Sequence, residues 1–195
     1  MKRLILYFYL IFFSISVHAI GEDISDFEIE GMSVGNSMLD YFSKEEIFES
    51  KKYEYKYDDV FATTSFIKKN FELYDKVQVH YKLSDNNFKI YGLVGVVYFK
   101  EDFKDCLKKK DKITSSISTS FSLKKQDTGK REHLADKSGK SFTHDTYFYF
   151  SNGNYFSVSC YDWSKEKNLE NEWFDNLKVS IIDKDFDDFL QKFYN

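Results

Sequence analysis
The chain has 195 residues, 42% hydrophobic and 19% aromatic, with 21 Phe, 15 Tyr, 2 Cys and no Pro. That is one domain's worth of chain with ample core material, which excludes collagen-like repeats, long disordered tails and a mini-protein held by disulfides alone. Of its 28 basic residues only Arg3 and Arg131 are arginine, and the net charge is −4. Bidentate phosphate recognition therefore has little material, and specific nucleic-acid readout is not expected.

Lys2 and Arg3 precede an apolar run from Leu4 to Val17, and Val17-His18-Ala19 places aliphatic or small residues at the −3 and −1 positions. Residues 1–19 read as a secretory signal peptide cut after Ala19. This stretch of 14 residues spans about 21 Å, short of the roughly 30 Å hydrocarbon core, so no transmembrane segment is expected after cleavage. Residues 20–195 then form a single domain, periplasmic or secreted, with a net charge of −6 once Lys2 and Arg3 are gone. Export favours oxidation, and the even pair Cys106 and Cys160 is expected to form a disulfide.

In chain order, Phe27 to Glu30 alternates as a short strand, and Ser33 is placed to cap a helix carrying Val34, Met38, Leu39 and Phe42. Ser43-Lys44-Glu45-Glu46 is a capping box flanked by Phe42 and Ile47 as a hydrophobic staple. Residues 53 to 66 read as strand, and Val77 to Leu83 with Phe88 to Phe99 as a hairpin whose second strand is central. A helix carries Phe103, Cys106, Leu107, Ile113 and Ile117 on one side. Asn152-Gly153 joins the strands Phe142 to Phe150 and Tyr155 to Trp163, and a two-residue loop there sets Tyr147 opposite Val158 and Tyr149 opposite Phe156. Leu169, Trp173 and Phe174 suggest a short helix, Leu177 to Ile181 a last strand, and Asp183 caps a terminal helix. The expected fold class is α+β, an antiparallel sheet of five to six strands with two short N-terminal helices, a middle helix and a C-terminal helix packed on it.

Three motifs invite chemistry. Gly31-Met32-Ser33-Val34-Gly35 fits the nucleophile elbow, but only a short charged strand precedes it and no parallel βαβ series follows to supply an acid and a histidine. Gly35-Asn36-Ser37-Met38 is close to the GDSL block of the SGNH hydrolases, with Asn36 where that family has Asp and no D-x-x-H anywhere. Gly139-Lys140-Ser141 echoes a phosphate loop that lacks its first glycine, Leu134 standing there. The four histidines include no H-x-x-x-H pair and there is no C-x-x-C, so neither metal nor cofactor is expected. The long polar loop 123–141 carries six basic residues against Asp127, Glu132 and Asp136. Lys137, Ser138, Lys140 and Ser141 around Gly139 are its candidate anion-binding residues.

The segments FEIEGMSVGNSMLDYF from Phe27, ADKSGKS from Ala135, SCYDW around Cys160 and LKVSI followed by FDDFL resemble a family of small secreted proteins of marine alphaproteobacteria with AT-rich genomes. That resemblance implies an envelope-side fold and conveys no activity. A shorter stretch of about 30 residues, where glycine and a polar residue open a helix pair before a sheet, resembles the BamE-type envelope proteins, without their lipid-anchor cysteine. Together these readings give an exported, non-catalytic binding protein whose partner is an envelope protein or a small anionic ligand. The alternatives are a hydrolase using Ser33 or Ser37, or an inhibitor of an envelope enzyme.

Overall fold
Alternating aromatic and β-branched residues produce strands that can bury both faces of a sheet, and the computed structural model shows where they pair. It describes residues 23–55, 60–67, 70–100, 102–120, 125–171 and 173–194; the leader expected at residues 1–19 lies outside them. The strands are β1 (Lys51–Glu54), β2 (Phe61–Phe66), β3 (Lys76–Lys82), β4 (Ile90–Tyr98), β5 (Lys125–Glu132), β6 (Phe142–Tyr149), β7 (Tyr155–Asp162) and β8 (Asn176–Ile182). The helices are α1 (Lys44–Glu49), α2 (Phe103–Ser120), α3 (Lys165–Asn171) and α4 (Lys184–Tyr194), with 3-10 turns at Ile24–Asp26 and Met38–Asp40. All eight strands join one antiparallel sheet in the order β1-β2-β3-β4-β8-β7-β6-β5. A helix followed by four antiparallel strands thus occurs twice, and the two last strands, β4 and β8, meet at the centre.

The registers sort side chains onto two faces. Leu93, Ile181 and Phe156 align across β4, β8 and β7, as do Val179 and Val158; they form the main core with α2, α1 and the N-terminal turns. Cys106 and Cys160 are disulfide-bonded with Cα atoms 6.0 Å apart, which fastens α2 to β7. On the opposite face Phe61, Val94, Val96 and Ile182 pack under Phe186 and Phe189 of α4. The Asp183 carboxylate caps α4 by accepting the Asp185 N–H at 2.8 Å. The sheet is therefore a middle layer, covered on one face by α1 and α2 and on part of the other by α4.

Several expectations need correction. Among the described residues there are eight strands rather than five to six, because β1 and β2 pair as two strands where one is expected over 53–66 and because the expected loop 123–141 contains β5. β5 is an edge strand with charges on both faces, so no apolar alternation betrays it; the ladder to β6 makes it a strand. Phe27 to Glu30 contributes a single bridge, Ile29 to Met32, across a turn in which Glu30 and Gly31 take φ of 52° and 78°. Ser33 caps no helix: Ser37 caps the 3-10 turn by accepting the Leu39 N–H. The capping box at Ser43 and Glu46 has both of its hydrogen bonds.

The hairpin register differs by one residue. Phe150 and Asn154 close a three-residue loop in which Gly153 holds φ at 90°, the glycine-dependent geometry of a bulged hairpin rather than a two-residue turn. Phe148 then faces Phe156, and Tyr147 faces Ser157. Because side chains alternate, the slip moves Tyr147 and Tyr149 off the Cys160 face and puts Phe148 on it.

Candidate functional site
The four expected anion-binding residues are brought to one place, and three of them are already engaged. A cavity of about 300 Å³ is lined by Lys137, Ser138, Lys140, Asp136 and Glu166 among others. Ser141 is fully buried and does not line it; Ser138 Oγ donates to Asp136 at 2.7 Å, Ser141 Oγ donates to Asp136 at 2.6 Å, and Ser141 also accepts the Ser164 N–H. Lys140 is paired with Glu166 at 2.8 Å. The anion held by this turn is its own Asp136. The hydroxyls of Ser141 and Ser138 hold that carboxyl well below the usual range, and the shielding comes from the turn itself. Only Lys137 is left without such a bond among the described residues.

The open part of the sheet, on the α4 side of β6, β7 and β8, carries a different arrangement. Along β7 the residues facing out are Tyr155, Ser157, Ser159 and Tyr161, continued by Trp163. Tyr147 lies 5.6 Å from Tyr155, and Tyr161 is stacked 5.9 Å from Trp163, measured between ring centroids. Trp163 also meets Trp173 at 4.6 Å and His133 at 4.4 Å. Trp173 is exposed and the other rings are half-buried, with Ser157 and Ser159 between the tyrosines of β7 at 4% and 5% exposure. Burial raises the hydroxyl pKa of Tyr147, Tyr155 and Tyr161, so all three are neutral donors at neutral pH.

Lys178 of β8 sits in the same paving, between Val96 and Ser159 in the cross-strand row. Its ammonium lies 4.2 Å from the Tyr161 ring centre. No carboxylate or hydrogen-bond acceptor bonds it among the described residues. The nearest acid along its row, Asp145, lies two strands away and is bound by Arg131 at 3.1 Å. Enclosure by protein lowers the Lys178 pKa to about 8, so near neutral pH it is still mostly charged. Two residues along the strand, Asn176 donates its amide to the Phe174 carbonyl, and its Oδ1 is a buried side-chain oxygen without a partner among the described residues.

The serines of the hydrolase motifs have structural tasks. Ser37 Oγ donates to the Asn87 carbonyl at 2.6 Å, and the Ser33 N–H donates to Asn36 Oδ1 at 3.0 Å. His80, the most buried imidazole, bonds Thr63 at 2.7 Å and stacks on Phe186, and burial drives its pKa down to about 3. Among the described residues no group of three His, Cys, Asp or Glu is arranged to hold a metal, and no helix is long and apolar enough to cross a membrane. The hairpin register decides only whether Tyr147 and Tyr149 join this face; the alternation Tyr155, Ser157, Ser159, Tyr161, which stands opposite Cys160 in either register, was its visible signal. No protein-family model, no curated protein and no solved structure matches the chain.

Proposed function
We propose that this chain is an exported, non-catalytic binding protein of the bacterial envelope, and that its ligand docks on the ring-paved face of β6, β7 and β8. The observation that carries this reading is Lys178, a partly buried side chain whose ammonium lies 4.2 Å from the Tyr161 ring centre, in one cross-strand row with Ser159, and to which no carboxylate is bonded among the described residues. A desolvated charge costs stability unless it is compensated, and such a cost is retained where a ligand supplies the counter-charge. The aromatic rings around it offer area that is already ordered, which lowers the entropy lost on binding. Export rests on the leader sequence, and a disulfide accords with it.

Trp163 and Trp173 are the two tryptophans of the chain and both lie at this face, so intrinsic fluorescence reports its occupancy. The test is titration of the purified protein with a panel of sugar acids, neutral sugars, aromatic acids and short peptides. A saturable change in emission with at least one member, lost in Tyr161→Ala, is expected. A panel that leaves the emission unmoved, together with fluorophosphonate labelling abolished by Ser33→Ala or Ser37→Ala, would replace this reading with the hydrolase.

A further inference from the structure
Resting on that binding face, we infer that its ligand is an acidic oligosaccharide, a chain of sugar rings with a carboxylate seated at Lys178. Main-chain groups of β6, β7 and β8 are consumed in their ladders, so a peptide cannot add as a strand there and recognition falls to side chains alone. The side chains offered are rings, hydroxyls and one ammonium. Tyr155 to Tyr161 spans about 20 Å of extended strand, with Ser157 and Ser159 between two aromatic walls, a length that accepts several rings in a row.

Charge decides between acidic and neutral sugars. Lys178 has three donors and no acceptor, and the groups facing it from its neighbours are Val96, Ser159, Tyr98 and Tyr161, none of them anionic at neutral pH. Lys76 stands two strands away in the same row, over the Tyr98 ring at 5.9 Å, and Lys100 lies over Phe174 at 4.7 Å. Three ammonium groups thus gather on this side, where the carboxylates of Asp75 and Asp175 are taken up by the Tyr98 and Trp163 N–H groups, on a chain whose total charge is −4. Asp127 and Asp145 on the far side share the single guanidinium of Arg131, and Asp187 acts on Tyr155 and Tyr149, so that end of the face keeps a net negative charge and the positive end is the one at Lys178. A lysine presents a point charge, which suits a single carboxylate carried on a ring that hydroxyl-rich neighbours can also bond.

The experiment uses the mature chain, a trimer of galacturonic acid and the same trimer as its methyl ester, followed by tryptophan emission and calorimetry. Expected are saturable binding of the acid, at least tenfold weaker binding of the ester, and at least tenfold weaker binding of the acid by Lys178→Met. Met keeps the stem and removes the charge, and its melting curve checks that it is folded. Should that variant not fold, the unmodified protein still decides: raising the salt from about 0.05 to about 0.5 M weakens binding of the acid and not of the ester. Equal affinity for acid and ester, or binding of the acid untouched by both Lys178→Met and salt, overturns the inference and leaves the binding face standing. If neither trimer binds while another compound of the panel does, the inference falls and the proposed function survives; if no compound binds, both fall.

Discussion

Two buried bases fix how stability responds to pH. His80 is held neutral by burial, with its pKa at about 3, and the absence of a side chain at Gly92 makes room for its ring, since a Cβ there would come within 2.8 Å of it. Its folded pKa lies below its unfolded one, so unfolding takes up a proton below pH 6.5. Stability is complete above that pH and falls as the solution is acidified. Between pH 6.5 and 5 the expected loss from His80 is about 1 kcal/mol per pH unit, and His80→Gln should remove that share in urea titrations, leaving the smaller one of His133 and His144, whose pKa values burial also lowers. Lys178 obeys the same sign at higher pH: with a folded pKa of about 8, stability rises from pH 8 toward 10.5, by on the order of 2 kcal/mol. Tyr147, Tyr155 and Tyr161, with pKa values raised by burial, reverse the trend above about pH 10. Lys178→Met should abolish the rise while leaving the alkaline decline, a difference that thermal melts at pH 8 and 9.5 will read.

At the scale of elements, two clasps tie together segments that are distant in sequence. The disulfide joins α2 to β7 over a sequence separation of 54, and loop entropy makes such a link worth about 4 kcal/mol. Reduction, or Cys106→Ala with Cys160→Ala, is expected to lower the urea midpoint accordingly, without loss of the sheet signal in circular dichroism. The second clasp is Glu30, whose carboxylate accepts the N–H groups of Glu72, Leu73 and Tyr74 at 3.0, 2.8 and 3.1 Å. It pins the segment before β3 to the N-terminal turn and sets Tyr74 against the sheet. Asn is comfortable at positive φ but too short to reach, so Glu30→Asn isolates the clasp. It should cost about 1–2 kcal/mol and speed amide exchange at residues 72–74.

At the scale of the molecule, the two helix-plus-meander halves share one ladder, β4 against β8, with β1 and β5 as free edges. Opening the centre exposes both cores, whereas an edge strand can leave alone. Hydrogen exchange should therefore be slowest in β4 and β8, approaching global unfolding, and fastest in β1 and β5; comparable protection across all eight strands would refute that order. The β5 edge carries Lys130 and Arg131, both exposed, charges that discourage pairing with another chain.

Local chemistry was enough for what depends on neighbours in sequence. The capping box at Ser43, the helix from Phe103, the central position of β4, the Asp183 cap and the α+β class all follow from spacing and residue type within a dozen positions. The cysteine pair could be expected from count and compartment, and its geometry bears that out. Three things needed the third dimension. β5 is a strand only because β6 offers it a ladder, since its own residues show no apolar face. Ser138 and Ser141 looked available to an outside anion until folding delivered Asp136 to them. The place of Tyr147 and Tyr149 beside the β7 rings was hidden by one residue of hairpin register: a period of two makes a single-position slip reverse every side chain of β6, and local turn residues do not distinguish a two-residue loop from a bulged three-residue one. Packing of Phe148 and Phe150 into the core settled that register, and with it the side on which the tyrosines stand.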